Sequence, residues 1–308
     1  GEPTVAGLDF FRDFVAMVSA FRPLDRQVSY ALQTNGMALN EEWTHFLKEN
    51  QFLVGLSVDG YRELHDHYRV DTKGEGTYGR VAKALALLQK FEVETNLLCV
   101  VTGQCAKHPQ KTYASMKKLG VRYLQFIPCL DPLEEQRGRA VYSLTPKLYG
   151  DFLCGLFDQW YRDWAEGHYT SVRLFDDYVH LAMGEPASTC AASGGCGSYF
   201  VVEADGGVYP CDFYVLDRWR MGDVHTDSLK QLANDETASE FLRQGRLRPS
   251  RCASCRWVPL CNGGCRRDWT GGADDTENYY CESFRRFFEY AADRIGEIAW
   301  QERRSRMR

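Results

Sequence analysis

Eight of the twelve cysteines lie beyond residue 189. Cys190, Cys196 and Cys211 come first, followed by the run Cys252-x2-Cys255-x5-Cys261-x3-Cys265-x15-Cys281. Soft thiolates at short, fixed spacings bind zinc, copper(I) or iron–sulfur clusters. Eight ligands divide evenly into two four-thiolate sites, as two [4Fe–4S] clusters require. Disulfides are one alternative, but the chain is large and nothing in it shows secretion. Zinc is another. Cys252-x2-Cys255 with Cys261-x3-Cys265 could close one tetrahedral site, yet a single zinc leaves Cys190, Cys196, Cys211 and Cys281 unexplained, and two structural zincs remain open. The spacing favours iron–sulfur over zinc and zinc over disulfides. Cys99, Cys105, Cys129 and Cys154 lack paired spacing and read as buried or incidental thiols.

The elements that must carry these groups change character along the chain. Helical patterns at Leu8–Ala20, Glu41–Glu49, Tyr78–Lys90 and Gln110–Leu119 alternate with apolar runs at Gln27–Leu32, Phe52–Ser57, Val93–Val101 and Val121–Ile127. Near-continuous apolar strands alternating with helices predict a parallel sheet covered by helices. Chemistry in such sheets gathers at the strand C-termini. The polar groups there are Gln33-Thr34-Asn35-Gly36, Ser57-Val58-Asp59-Gly60 and Cys129-Leu130-Asp131. Gln33 and Asn35 read as turn formers or as substrate contacts. The spacing predicts a long helix over 145–165 whose aromatic stripe is core. After about residue 170 glycine and cysteine dominate. Tyr199–Glu203 and Gly207–Tyr209 predict a hairpin, and a helical tail follows Cys281. His65-Asp66-His67 lacks a further spaced partner and reads as a polar loop.

The net charge is −5 with no large basic face, which argues against nucleic acid as a partner. The one basic run, Arg303, Arg304, Arg306 and Arg308, suits a solvated helix end. No apolar stretch is long enough to cross a bilayer. The chain opens on Gly1-Glu2-Pro3 without an initiator Met. It reads as a piece lacking its true N-terminus, so the lack of a signal peptide bears little on compartment.

Cys196-x9-Gly206-x4-Cys211, then Cys252-x2-Cys255-x5-Cys261-x3-Cys265 and Cys281, resembles the SPASM domain of radical SAM enzymes. Gly1-Glu2-Pro3-Thr4 resembles the end of the Gly-Gly-Glu-Pro motif of the radical SAM barrel. Four further segments carry a narrower likeness: Leu32-Gln33-Thr34-Asn35-Gly36, Leu56-Ser57-Val58-Asp59-Gly60, Leu124-Gln125-Phe126-Ile127 and Val208-Tyr209-Pro210-Cys211-Asp212-Phe213-Tyr214. Together they resemble the anaerobic sulfatase-maturating enzymes, over nearly the whole chain. The family's Cys-x3-Cys-x2-Cys loop is absent: Cys261-x3-Cys265 mimics its first half, but position 268 is Asp.

The resemblance implies an α/β fold: a partial (β/α)6 radical SAM barrel over residues 1–169, lacking its first βα unit, and a SPASM domain over 170–308. It implies radical SAM oxidation of a Cys or Ser in an unfolded sulfatase polypeptide to Cα-formylglycine. Cofactors would be S-adenosyl-L-methionine, two auxiliary [4Fe–4S] clusters in this chain and a third in the missing N-terminus, so residues 1–308 alone would not cleave SAM. Cys190, Cys196, Cys211 and Cys265 would hold the inner cluster; Cys252, Cys255, Cys261 and Cys281 would hold the outer one. Asp212 would be the catalytic base, as against a plain cap of the turn after the hairpin. Gly1, Ser57, Arg69 and Leu130 would contact SAM. A ferredoxin or flavodoxin would donate electrons, in the cytoplasm, without membrane or nucleic acid. Another SPASM-type peptide-modifying enzyme, or a zinc-binding scaffold, is the alternative.

Overall fold

A computed structural model describes residues 1–21, 26–133, 135–271 and 276–307. Two compact units divide the chain, Gly1–Phe175 and Asp176–Arg308.

In the first unit, strands β1 (Ala31–Thr34), β2 (Leu53–Ser57), β3 (Thr95–Val101), β4 (Tyr123–Pro128) and β5 (Ser171–Val172) form one sheet in sequential order. Every pairing is parallel. Each crossover carries helix: α2 (Glu41–Glu49), α3 (Arg62–Tyr68) with α4 (Tyr78–Lys90), α5 (Pro109–Lys117) and α6 (Pro146–Ala165); α1 (Leu8–Phe21) precedes β1. Parallel strands need such crossovers, and the helices in turn bury the sheet's apolar face. Leu56, Leu97, Val54 and Val101 are fully buried in the sheet, and Leu47 and Leu88 cover it. Local signals set the helix ends. Asn40 caps α2 by accepting from Trp43 N at 2.9 Å, and Thr145 caps α6 ahead of Pro146. The aromatic stripe of α6 is core as expected: Tyr149, Phe152, Phe157 and Trp160 are buried.

Two sequence expectations are corrected. The first strand is Ala31–Thr34 rather than Gln27–Leu32. Its register, Ala31 opposite Leu53 through Thr34 opposite Leu56, is set by backbone pairing to β2 and takes in the polar Gln33 and Thr34. The His65-Asp66-His67 segment is the helix α3 and not a loop. His65 is fully buried there; its Nδ1 accepts from Asp59 N at 3.2 Å, and its Nε2 pairs with Thr77 Oγ1 at 3.0 Å. A donor at Nδ1 fixes the neutral tautomer with the proton on Nε2.

Burial, with the nearby Arg69, pushes the His65 imidazole down to about 4, against a partial upward pull from Asp59 and Asp66. An unfolded histidine titrates near 6.5, so the unfolded chain takes up this proton first as pH falls. His65 therefore contributes its full stability above pH 6.5 and loses it toward pH 4, by about 3 kcal/mol in all. NMR of the His65 ring at pH 5 is expected to show the neutral imidazole; a ring titrating near 6.5 contradicts this.

The second unit is built on short elements. Helix α7 (Arg173–Ala182) begins in the first unit and continues into it. Then come α8 (Cys190–Ser193), the antiparallel sheet of β6 (Val201–Val202), β7 (Gly207–Tyr209) and β8 (Gly222–Asp223), and helices α9 (Leu229–Ala233), α10 (Glu236–Gly245) and α11 (Val258–Cys261). The ribbon β9 (Trp269–Thr270) with β10 (Glu277–Asn278) and the long α12 (Cys281–Arg306) close it. The expected hairpin is present and gains β8 as a third strand. Its turn runs through Gly206 at φ 88°, where a side chain would also meet His225 at 2.5 Å. Of the C-terminal arginines, Arg303, Arg304 and Arg306 end α12, while Arg308 lies outside the described residues. Among the described residues no helix is long and apolar enough to cross a membrane.

Candidate functional site

The eight clustered cysteines fall into two groups that cut across their order in the sequence. The Cys196 thiol interacts electrostatically with Cys190 and Cys211, and so does that of Cys265. Cys261 interacts with Cys252, Cys281 and Cys255, and Cys281 with Cys252. Cys261 and Cys265, only three residues apart, thus serve different groups.

The backbone between them is the cause. Asn262, Gly263 and Gly264 all have positive φ, at 52°, 87° and 68°. Three successive left-handed residues reverse the chain and turn the two thiols apart, a path open to glycine and, at modest cost, to asparagine. Asn262 also donates through Nδ2 to Ala192 O at 2.9 Å, which draws α8 and its Cys190 toward this turn. Gly263 O takes Asn278 Nδ2 at 3.0 Å and Trp269 Nε1 at 3.1 Å. Gly245, the last residue of α10, makes room for Cys196: a Cβ there would stand 2.5 Å from the Cys196 sulfur.

The group of Cys252, Cys255, Cys261 and Cys281 lines one cavity of about 330 Å³. Burial pushes the thiols of Cys261 and Cys265 up to about 12 and that of Cys281 to about 11. Such thiols ionise only when positive charge enters the pocket, which is how metal binding works. Among the described residues no disulfide joins any pair of cysteines, and no three His, Cys, Asp or Glu side chains could together hold one metal ion. A single zinc draws all its sulfurs to about 2.3 Å of one point. A [4Fe–4S] cube instead gives each thiolate its own iron, so its sulfurs stand wider apart. Four thiolates around a cavity suit the second demand. Beside the other group, Trp219 Nε1 is buried with no hydrogen-bond partner, a donor available to an acceptor that the protein itself does not provide.

Asp212 follows Cys211 at the end of β7 and opens the 3₁₀ turn Asp212–Tyr214. The cap residue of that turn is Cys211, which makes no side-chain cap bond. Asp212 Oδ1 accepts from Tyr199 Oη at 3.2 Å and from Cys211 Sγ at 3.5 Å, and the carboxylate is exposed. Burial, then contact with Cys211, pushes the Tyr199 phenol well up, so it remains a donor. Nothing in the spacing of Tyr199 and Asp212 announced this pair.

In the first unit, Ser57 ends β2 and Leu130 follows β4, both half-buried. Gly1 is exposed, and a Cβ built on it meets nothing within 4 Å, so packing does not require the glycine. Glu2 ties this terminus to the end of β1: its carboxylate accepts from Thr34 Oγ1 at 2.7 Å and Asn35 N at 2.7 Å. Asn35 itself closes a turn, accepting from Met37 N at 2.9 Å. Arg69 donates from Nε to Asp59 Oδ2 at 2.6 Å and from Nη2 to Oδ1 at 3.3 Å, while Val100 N also holds Asp59. The Nε–Nη2 edge of Arg69 is therefore taken by the buried Asp59, and Nη1 is left. Asp59 stands ten positions upstream and carried no signal of this role.

Residues 194–256 match SPASM, an iron–sulfur cluster-binding domain. The chain is 44% identical over 301 residues to a cysteine-type anaerobic sulfatase-maturating enzyme of Clostridium perfringens, covering 97% of this chain and 81% of the relative. A serine-type anaerobic sulfatase-maturating enzyme of Bacteroides thetaiotaomicron is 29% identical over 310 residues, covering 95% of this chain and 74% of that one. The solved structure of native anSMEcpe with bound AdoMet and the Cp18Cys peptide superposes with a TM-score of 0.94 at 44% identity, over 98% of this chain and 84% of that one. A parallel α/β unit followed by a SPASM unit defines a radical SAM iron–sulfur enzyme, the α/β architecture expected from the sequence. Within that class, the chain belongs to the anaerobic sulfatase-maturating enzymes.

Proposed function

We propose that this chain oxidises an active-site cysteine of an unfolded sulfatase polypeptide to Cα-formylglycine. The single observation that carries this is the match to the solved structure with its Cys peptide over 98% of the chain. The cysteine type is preferred because identity to the cysteine-type relative is 44%, against 29% to the serine-type one.

The residues take the following parts in this reading. Cys190, Cys196, Cys211 and Cys265 hold one [4Fe–4S] cluster, and Cys252, Cys255, Cys261 and Cys281 hold a second. Gly1, Ser57, Arg69 and Leu130 bind SAM, with Arg69 offering Nη1 to its carboxylate while Asp59 fixes the guanidinium plane. SAM bound with a reduced cluster supplies one-electron hydrogen abstraction from the substrate Cβ. Asp212 would take the proton that the substrate thiol must release as Cβ is oxidised, with the second electron passing to an auxiliary cluster and the thioaldehyde sulfur leaving as sulfide when water replaces it; Tyr199 holds the carboxylate by its Oδ1. A ferredoxin or flavodoxin in the cytoplasm supplies electrons. The Cys-x3-Cys-x2-Cys loop does not occur within residues 1–308, and these residues by themselves are proposed not to cleave SAM.

The test offers matched Cys and Ser versions of a sulfatase peptide to an anaerobically reconstituted version of the enzyme that carries a Cys-x3-Cys-x2-Cys loop ahead of these residues, with SAM and reductant, reading the aldehyde by mass spectrometry. Aldehyde from the Cys peptide is expected to exceed that from the Ser peptide. No aldehyde from either rejects the function, and a preference for Ser rejects the type.

A further inference from the structure

One charged side chain near the first cysteine group has no part in the reaction described so far. Arg266 follows Cys265 directly and is half-buried. Its guanidinium carbon lies 5.2 Å from the ring centroid of Tyr214 and 5.1 Å from those of Trp219 and Phe241. The three rings pack edge to face on one another, with interplanar angles of 73°, 82° and 85°. Cys196 and Cys211 pack against the same rings. Arg266 donates from Nη1 to Phe241 O at 3.4 Å and from Nη2 to Gln244 Oε1. Among the described residues it forms no ion pair. The neighbouring Glu240 is clasped by Arg243 at 2.6 and 2.7 Å and accepts from Gln244 Nε2, so Arg266 acts on it only at longer range. Arg267 and Asp268 are buried on the same turn; the Asp268 carboxylate acts on Cys265 and opposes Arg266 there, while Arg267 acts on Tyr214.

The second cysteine group is arranged differently. Arg251, which interacts with Cys281, is bound to both Glu277 and Glu282. Arg248, the cation near Cys252, is exposed and screened by solvent. Arg256, at the cavity of this group and 4.2 Å over the Trp257 ring, is likewise exposed. A half-buried guanidinium without an ion pair thus stands beside one thiolate set, whereas beside the other the cations are either bound to glutamates or exposed to solvent.

We propose that Arg266, held in the box of Tyr214, Trp219 and Phe241, is a fixed positive charge that raises the reduction potential of the cluster on Cys190, Cys196, Cys211 and Cys265. This rests on reading those sulfurs as cluster ligands. A four-thiolate cluster gains a negative charge on reduction, and a cation in a partly desolvated site stabilises the more negative state. The aromatic faces hold the cation without neutralising it, as a carboxylate would. The outcome is an ordering of the two clusters, with the Arg266 side the easier to reduce.

The test is an EPR-monitored redox titration of the anaerobically reconstituted protein and its variants, with iron content measured on the same samples. R266Q keeps a hydrogen-bonding side chain and removes the charge. One of the two titration waves is expected to move negative, lowering its reduced-to-oxidised ratio at a fixed potential about tenfold, equal to ~59 mV for one electron. R266K is expected to shift it less. Q244E leaves Arg266 in place but sets a carboxylate on it, and the same wave should move the same way. Both waves unmoved in R266Q with full iron overturn the proposal. Should R266Q lose iron, Q244E decides alone, and its unmoved waves overturn it equally. Wild-type protein without a cubane signal instead removes the ligand reading beneath it.

Discussion

Replacing Asp212 with Asn, in a version of the enzyme that carries the Cys-x3-Cys-x2-Cys loop, is expected to cut formylglycine yield about 10²–10⁴-fold, the usual worth of a positioned acid–base group, while iron content stays at the wild-type level. The amide keeps the shape of the side chain and can still accept from Tyr199 Oη, now 3.2 Å from Oδ1, but it cannot take a proton. The substrate thiol must lose its proton as Cβ becomes electron-poor, so the loss falls on turnover rather than on peptide binding. Asp212→Glu should restore part of the yield, because the carboxylate returns at a longer reach. Capping the turn would need a backbone N–H, whereas the donors to Asp212 Oδ1 are Tyr199 Oη and Cys211 Sγ. An Asn variant that makes formylglycine at the wild-type rate removes Asp212 from the reaction.

The second large effect separates the interleaved thiolate sets from the two local sets that spacing would suggest. Removing Cys190 and Cys265 together takes two ligands from one set in the observed grouping. In the polypeptide of residues 1–308 this is expected to halve the iron, from roughly eight to roughly four per chain, and to leave one cluster with an undisturbed four-thiolate Mössbauer spectrum. Removing Cys252 and Cys261 together should halve it again by the complementary half. Local grouping would place Cys190 and Cys265 in separate sites, so each cluster would lose one ligand. Two perturbed clusters in the Cys190/Cys265 variant, with none intact, would sink the interleaved assignment.

Much of the architecture was legible because it depends on neighbours in the chain. The alternation of apolar runs with amphipathic segments between residues 41 and 128 foretold the parallel sheet. The helix read over 145–165 is α6, and the hairpin read from Tyr199–Glu203 and Gly207–Tyr209 holds β6 and β7. Misreadings came where a distant partner outweighed local character. The polar Gln33 and Thr34 entered β1 because β2 supplied a parallel backbone edge. His65 and His67 looked solvated, yet His65 is buried between Asp59 and Thr77, two groups that no short-range pattern joins to it.

The same division holds at the site. The number, type and spacing of the cysteines determined that this protein handles soft metal ions, and the phrase around Cys211-Asp212 narrowed the family. Which thiols share a pocket was decided only in three dimensions, where Asn262, Gly263 and Gly264 turn Cys261 and Cys265 apart and Asn262 reaches Ala192 seventy residues away. The partners of the groups proposed to act, Tyr199 for Asp212, Asp59 for Arg69 and the aromatic box for Arg266, also emerged only there. Ligand chemistry and backbone preference belong to residues adjacent in the chain and can be read one stretch at a time. A hydrogen bond or a shared cavity between remote residues exists only once packing has brought them together.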